Sequence, residues 1–263
     1  MLTLNEEERR LAARAAELSA RAAAGEITAT SYLTPREQLV LAERFAGDPG
    51  CFSADGGYAA AERKRFFFLP EYVRDTEEPY RTELLADIRA EKLTAVKITG
   101  SGYRALAHRD YLGAVLNLGV KRESLGDLCV PDAFSAVLFA DRTLAAFLTE
   151  TLTRVANDAV RVCPFVPPAD FDGGRRFLSC SDTIPSPRAD AVVAAICNLA
   201  REKAQALFRE GKVEIAYEPT EKTDRQVCEG DVIVVRGFGK FLIRSLSGQT
   251  KKGRYRLQFD RYL

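Results

Sequence analysis

Apolar residues recur at helical spacing over two stretches near the start of the chain. Leu11, Ala15, Leu18 and Ala22 form one stripe between residues 5 and 24, with Asn5 placed to cap it and Glu6, Glu7 and Glu8 in the first turn. Thr34-Pro35-Arg36-Glu37 has capping-box spacing with proline at the first helical position, and predicts a second helix ending near Ala46. The two are expected to make a small helical bundle. The run Ala61-Glu62-Arg63-Lys64-Arg65-Phe66-Phe67-Phe68 then admits two readings. One is a short helix leading into a buried strand, its charges solvated; the other is a basic surface with aromatic stacking for nucleic acid.

From Leu93 the period switches between two and three to four. Residues 94–99 alternate as a strand, Arg109 to Leu118 fits a helix stopped by Gly119, and Gly126–Val130 with Ser135–Ala140 reads as a strand pair around Pro131-Asp132. Leu144, Phe147, Leu148 and Leu152 mark a helix from 144 to 156, and Val160–Phe165 is a last strand. That order, β-α-β-β-α-β, is the split βαβ arrangement also used by RRM domains. Its third strand, 134–139, lacks the basic-Gly-aromatic signature of a base-stacking platform. RNA contact by this part of the chain therefore points to Arg109, Lys121 and Arg122, as a second RNA or protein surface.

Prolines and glycines dominate 164–187, which reads as a linker with one strand-like piece at Arg176–Ser179. Beyond it, Val192, Val193, Ile196 and Leu199 share one helical face, and Ala204, Leu207 and Phe208 share a second. Gly211 stands where a helix C-terminus favours positive φ. Val213, Ile215 and Tyr217 alternate as a strand, Gly230 supplies a turn, and Asp231–Val235 is the next strand. The runs 236–241 and 250–257 suggest a closing hairpin with Ser247-Gly248 near its turn.

Charge changes this picture more than composition does. The chain is near neutral at +1, yet residues 186–263 carry 15 Lys/Arg against 10 Asp/Glu, and the remainder carries 23 against 27. A basic excess confined to one small unit is the electrostatic footprint of a phosphate-backbone binder. Lys251, Lys252 and Arg254 place three cations within four residues of the hairpin and make a phosphate probe, a merely solvated turn being the alternative. No window approaches 18 consecutive apolar residues, and the N-terminus opens acidic where a signal peptide would be basic, so a cytoplasmic protein without membrane contact is expected. The six cysteines form no CxxC pair and accompany a single histidine, which predicts reduced, buried thiols and no metal or cofactor.

Four segments resemble the S-four RNA-binding domain, named after small-subunit ribosomal protein four. They are Arg188-Ala189-Asp190, Arg201-Glu202-Lys203-Ala204, Gly211-Lys212-Val213-Glu214-Ile215 and Glu229-Gly230-Asp231-Val232-Ile233-Val234. The resemblance implies that basic residues of two helices face structured RNA: here Arg188, Arg201, Lys203 and Lys212 by position, with Asn198 between the helices. Two positions depart from the family pattern. Ala189 replaces the usual Leu, and Ala200 replaces a Ser or Thr that would cap the second helix at a cost of about 1 kcal/mol if lost. Asn198 is the candidate replacement cap.

Arg236-Gly237-Phe238-Gly239-Lys240-Phe241, the segment Thr250-Lys251-Lys252-Gly253-Arg254 and the long run from His108 to Arg122 leading into Gly126-Asp127 look like the YlmH-type branch of S-four proteins. That resemblance adds Arg236 and Lys240 to the candidate contacts. It implies a non-enzymatic protein that associates with the large ribosomal subunit through rRNA, tRNA or both, in quality control of stalled nascent chains. A monomer off the ribosome is expected.

His108-Arg109-Asp110 raises two enzymatic alternatives. Protein kinases place Asn five residues after the Asp, where this chain has Val115, and no Gly-rich loop accompanies it. Pseudouridine synthases often carry S-four domains, but their catalytic Asp continues into Thr-Ser-Gly, where Asp110 is followed by Tyr111-Leu112-Gly113. The competing reading is that Asp110 caps or salt-bridges at a helix start. A protein-interaction adaptor is the further alternative.

The expected fold class is α+β. It comprises an N-terminal helical segment (1–80), a central RRM-like split βαβ domain (81–166), a linker (167–185) and a C-terminal S-four RNA-binding domain with a β-hairpin extension (186–263).

Overall fold

The computed structural model describes residues 4–249 and 253–262. The chain is α+β and separates into two compact units, residues 1–174 and 175–263. Among the described residues no helix is long and apolar enough to cross a membrane.

The first unit begins with α1 (Glu6–Ala23), β1 (Thr28–Ala29), α2 (Pro35–Arg44), β2 (Phe52–Asp55), β3 (Arg65–Phe68), α3 (Glu71–Arg74) and α4 (Tyr80–Lys92). Both capping boxes expected from the sequence form: Asn5 with Glu8, and Thr34 with Glu37. The two helices pack on a three-stranded antiparallel sheet, β1-β3-β2, and not only on each other. Ala15, Ala22 and Leu41 meet Phe66 and Phe68 in one core.

Of the two readings of the basic run before the phenylalanines, the buried strand of the first forms, as β3, but the helix before it does not and its arginines are not solvated. Residues 61–64 form no helix, and Phe66, Phe67 and Phe68 are buried, which removes them as a stacking surface. The arginines are tied to main-chain carbonyls. Arg63 donates to Leu125 O at 2.9 Å and Tyr32 O at 2.8 Å, and Arg65 donates to Thr30 O at 2.7 Å. Burial holds the Arg63 guanidinium down to about 10.

The same unit continues as β4 (Thr94–Gly100), α5 (His108–Asn117), β5 (Leu128–Asp132), β6 (Ser135–Ala140), α6 (Arg142–Thr151), β7 (Arg154–Val155) and β8 (Asp158–Phe165). The strands make one antiparallel sheet ordered β5-β6-β4-β8-β7. α6 stops short of the predicted Ala156, because residues 154–155 turn back to pair with Asp158 and Ala159, with Ala156 at φ 51°. The β5–β6 turn lies at Ala133-Phe134, where Asp132 accepts from Phe134 N at 2.8 Å and Ser135 Oγ at 2.6 Å. Pro131 has no N–H to offer the ladder and falls in the register shift between Cys129 and Asp132.

One sheet face packs Val96, Ile98, Ala136 and Leu138 against α5 and α6. On the other, Ala95, Cys129, Val137 and Phe139 are covered by Tyr58 and Phe171.

The second unit holds β9 (Phe177–Ile184), α7 (Ala189–Ile196), α8 (Arg201–Arg209), β10 (Val213–Ile215), β11 (Glu218–Pro219), β12 (Val232–Val235), β13 (Gly239–Gln249) and β14 (Tyr255–Tyr262). They form an antiparallel sheet ordered β11-β10-β12-β13-β14-β9. The strand-like piece at 176–179 is longer than its pattern indicates: β9 pairs with β14 from Phe177↔Tyr262 to Ile184↔Tyr255. The closing hairpin forms from β13 and β14, and Ser247-Gly248 lies near its turn. That dipeptide lies inside β13 at a bulge, and the strands stay paired out to Gln249↔Tyr255. Val192, Val193, Ile196, Ala204 and Phe208 cover the sheet through Val213, Ile215, Ile233, Val235, Phe241 and Leu257.

Of the six cysteines, all unbridged, Cys51 and Cys129 are buried as expected, whereas Cys228 is exposed.

Candidate nucleic-acid interface

α7 and α8 are joined by a tight turn, and Asp190 in the first turn of α7 decides how they meet. Its backbone N–H donates to Thr223 O at 3.0 Å, while the Ala189 N–H donates to Arg225 O at 2.8 Å, so the helix start is pinned to the 220–227 loop. The Asp190 side chain is fully buried. It accepts from Arg201 Nε at 3.0 Å, Arg201 Nη2 at 2.9 Å, Gln205 Nε2 at 3.0 Å and Arg188 Nε at 3.3 Å. Burial by itself would raise its pKa; the hydrogen bonds from Gln205, Arg188 and Arg201 outweigh it and hold the carboxyl below the usual range.

The consequence is positional. Arg188 at the start of α7 and Arg201 at the start of α8 are gathered on one carboxylate, and each keeps a large part of its side chain exposed, 38% and 49%. A planar guanidinium held on one edge presents its remaining surface in a fixed orientation.

Ala200 is the cap residue of α8 and makes no side-chain cap bond. Asn198 does not replace it, contrary to expectation. It sits at φ 52° and takes the left-handed step of the turn, a conformation Asn tolerates better than most residues. Gly211 is left-handed just past α8, at φ 63°, as its position suggested.

A cleft of about 270 Å³ beside this turn is lined by Asn198, Leu199 and Arg201 with Thr183, Asp182 and Arg254. Three of the sequence-derived candidates, from the helix turn, the start of α8 and the β13–β14 hairpin, thus converge. Arg254 is held by donating Nε to Thr183 Oγ1 at 3.1 Å and Nη2 to Thr183 O. Lys203 is exposed on α8.

The other candidates lie elsewhere. Lys212 pairs with Glu210 at 2.7 Å just after α8. Arg236 reaches Glu214 at 3.4 Å, and Lys240 lies in register with Val234, which is itself opposite Glu214, on the sheet face away from the helices. Lys251 and Lys252 fall outside the described residues.

In the central sheet, Arg109 and Lys121 are exposed, but Arg122 is committed to structure, donating to Leu125 O at 3.1 Å and Gly126 O at 3.3 Å. Asp110 reaches back to the Ala107 N–H at 2.8 Å and so caps α5. The face on which RRM domains stack bases is closed by the chain itself. Tyr58 stacks on Phe139 with centroids 4.8 Å apart and donates its hydroxyl to Asp127 at 2.7 Å. Asp127 also accepts from Glu62 N at 2.7 Å and Arg63 N at 2.9 Å. At Gly126 a Cβ would lie 2.7 Å from the Tyr32 ring and 2.8 Å from Phe139 Cβ. Periodicity shows none of this, because Asp127 acts on residues more than sixty positions away.

Comparison with known proteins agrees with this architecture. Residues 92–165 match the family described as "Putative RNA-binding domain in YlmH". A relative from Bacillus subtilis (strain 168), "Ribosome-associated protein quality control protein P2", is 30% identical over 239 residues, covering 88% of this chain and 86% of its own. The solved structure "Cell division protein ylmH from Streptococcus pneumoniae" shares the fold at a TM-score of 0.50 and 16% identity, over 63% of this chain and 94% of that one. By its extent and identity to the Bacillus relative, the chain belongs to the YlmH-type family of RNA-binding proteins.

Proposed function

We propose that this protein is a non-enzymatic, ribosome-associated RNA-binding factor that acts in quality control of stalled nascent chains, as the name of its Bacillus relative suggests. Residues 186–263 act as an S-four-type domain that grips structured RNA of the large subunit, tRNA or both. Arg188, Arg201 and Lys203 supply phosphate contacts from the helices, with Asn198 and Arg254 at the cleft; Lys251 and Lys252 extend the same basic hairpin in sequence.

The observation that carries this reading is the pair of arginines gathered on buried Asp190, half-exposed and fixed in orientation. Arginines fixed in orientation suit contact with the phosphate backbone of structured RNA. The commitment of Asp110 to a helix cap favours a binding role over pseudouridine synthase chemistry.

Sedimentation of lysate through a sucrose gradient tests the proposal. Co-migration with large subunits at low salt, lost at high salt, is the expected result. Sedimentation only at the top of the gradient at both salt concentrations would count against it.

A further inference from the structure

The face of the C-terminal sheet turned away from α7 and α8 carries a row of alternating aromatic and cationic side chains. Val213, Val235 and Phe241 point into the core, so their neighbours Glu214, Val234 and Lys240 face outward. Tyr262 and Phe177 are cross-strand partners on that side, with ring centroids 4.9 Å apart and planes at 66°. Lys240 Nζ lies 4.6 Å from the centre of the Tyr262 ring and 5.7 Å from that of Tyr217. The Arg244 guanidinium lies 5.6 Å from the centre of the Phe177 ring.

Two further observations separate this row from ordinary surface packing. The turn that presents Tyr217 holds Ala216 at φ 51° and Tyr217 at φ 62°. A two-residue hairpin of this hand favours Asn-Gly, so the chain retains backbone strain at the residue whose ring meets Lys240. In addition, Arg236, Lys240 and Arg244 concentrate three cations on this face, with Arg236 reaching Glu214 at 3.4 Å and Arg244 reaching Asp260 at 2.6 Å. Phe177 remains 37% exposed.

We infer that this face is a stacking platform for unpaired nucleotides of the bound RNA. Aromatic faces stack on bases of any sequence, and cations beside the rings meet the phosphates between them. The inference rests on the RNA-binding reading above and adds to it a second surface, on the opposite side of the sheet from the helices.

The test uses the full-length protein and two fluorescent RNAs, a single-stranded oligouridylate and a blunt duplex. Phe177→Ala and Tyr262→Ala are each expected to weaken oligouridylate binding by at least about fivefold, the low end for loss of one base–aromatic stack. Duplex binding is expected to stay within about twofold, and Tyr262→Phe is expected to retain both affinities, since a base stacks on either ring. Should the alanine variants misfold, crosslinking of 4-thiouridine RNA to the wild-type protein decides. Adducts on Phe177, Tyr217 or Tyr262 support the platform; adducts confined to α7 and α8 overturn it. Unchanged oligouridylate affinity in well-folded alanine variants, with the duplex still bound, overturns the platform alone. Failure to bind either RNA overturns the RNA-binding reading as well.

Discussion

Arg201 lays two nitrogens, Nε and Nη2, against the Asp190 carboxylate at 2.9–3.1 Å, and Asp190 has no exposed surface. One partner is buried and the other half in water, so the pair orients Arg201 more than it stabilises the fold. Removing the buried member is the more damaging change. Asp190→Ala is expected to destabilise the second unit by about 1–3 kcal/mol, because Gln205 and two arginines lose their acceptor. Urea unfolding monitored in the full chain measures it, and an unchanged midpoint would remove Asp190 from its organising role.

The pH dependence follows from the same carboxylate. Its folded pKa is held below the ordinary aspartate value, as is that of Asp260, whose hydrogen bonds come from Ser179 and Arg244. A depressed acid contributes stability above its unfolded pKa, about 4, and that contribution is lost as pH falls through the folded value. Stability is therefore expected to drop below about pH 4, and less steeply in Asp190→Asn. Parallel denaturation curves for the two proteins across that range would refute the assignment.

Charge removal on α8 separates binding from folding. Arg201→Gln with Lys203→Gln is expected to weaken binding to ribosomal RNA and to flatten the slope of log affinity against log salt by about one for each phosphate no longer neutralised. Filter binding at several salt concentrations reads both quantities. A variant with wild-type affinity and slope would take the RNA off this face.

Arg63 is expected to behave in the opposite way. Its guanidinium satisfies the carbonyls of Leu125 and Tyr32 in the interior of the first unit. Arg63→Ala takes this donor from the Tyr32 carbonyl and leaves Leu125 O to Arg122, and it is expected to cost about 1–3 kcal/mol, with RNA affinity unchanged where the protein is folded. Thermal unfolding together with filter binding checks both halves.

Gly57 tests the closure of the central sheet. It sits at φ 96°, and an added Cβ would approach Phe139 Cδ1 to 2.6 Å beneath the stacked Tyr58. Gly57→Ala is expected to lower stability by about 1–3 kcal/mol through overpacking, with backbone strain adding to it. A calorimetric scan at fixed pH would show the shift.

The α+β class, both N-terminal capping boxes, the β-α-β-β-α-β order and the helix pair with Gly211 after it were all legible in the sequence. So was the family, through the long run 108–122 and the C-terminal segments. Each of these is set by residues within a few positions of one another: a cap and its partner three residues on, a hydrophobic period, a glycine where φ must be positive. The tertiary structure decided what those rules cannot reach. Arg63 and Arg65 look like surface charge until β3 carries them beneath Tyr32 and Thr30, and Arg122 until it turns onto Leu125 and Gly126. Ser247-Gly248 has turn composition, yet pairing with β14 stretches it into a bulged strand. Which cations share a cleft, which sit across the sheet and which serve the core depends on long-range pairing. Local sequence does not encode the desolvation and shared hydrogen bonds that settle it.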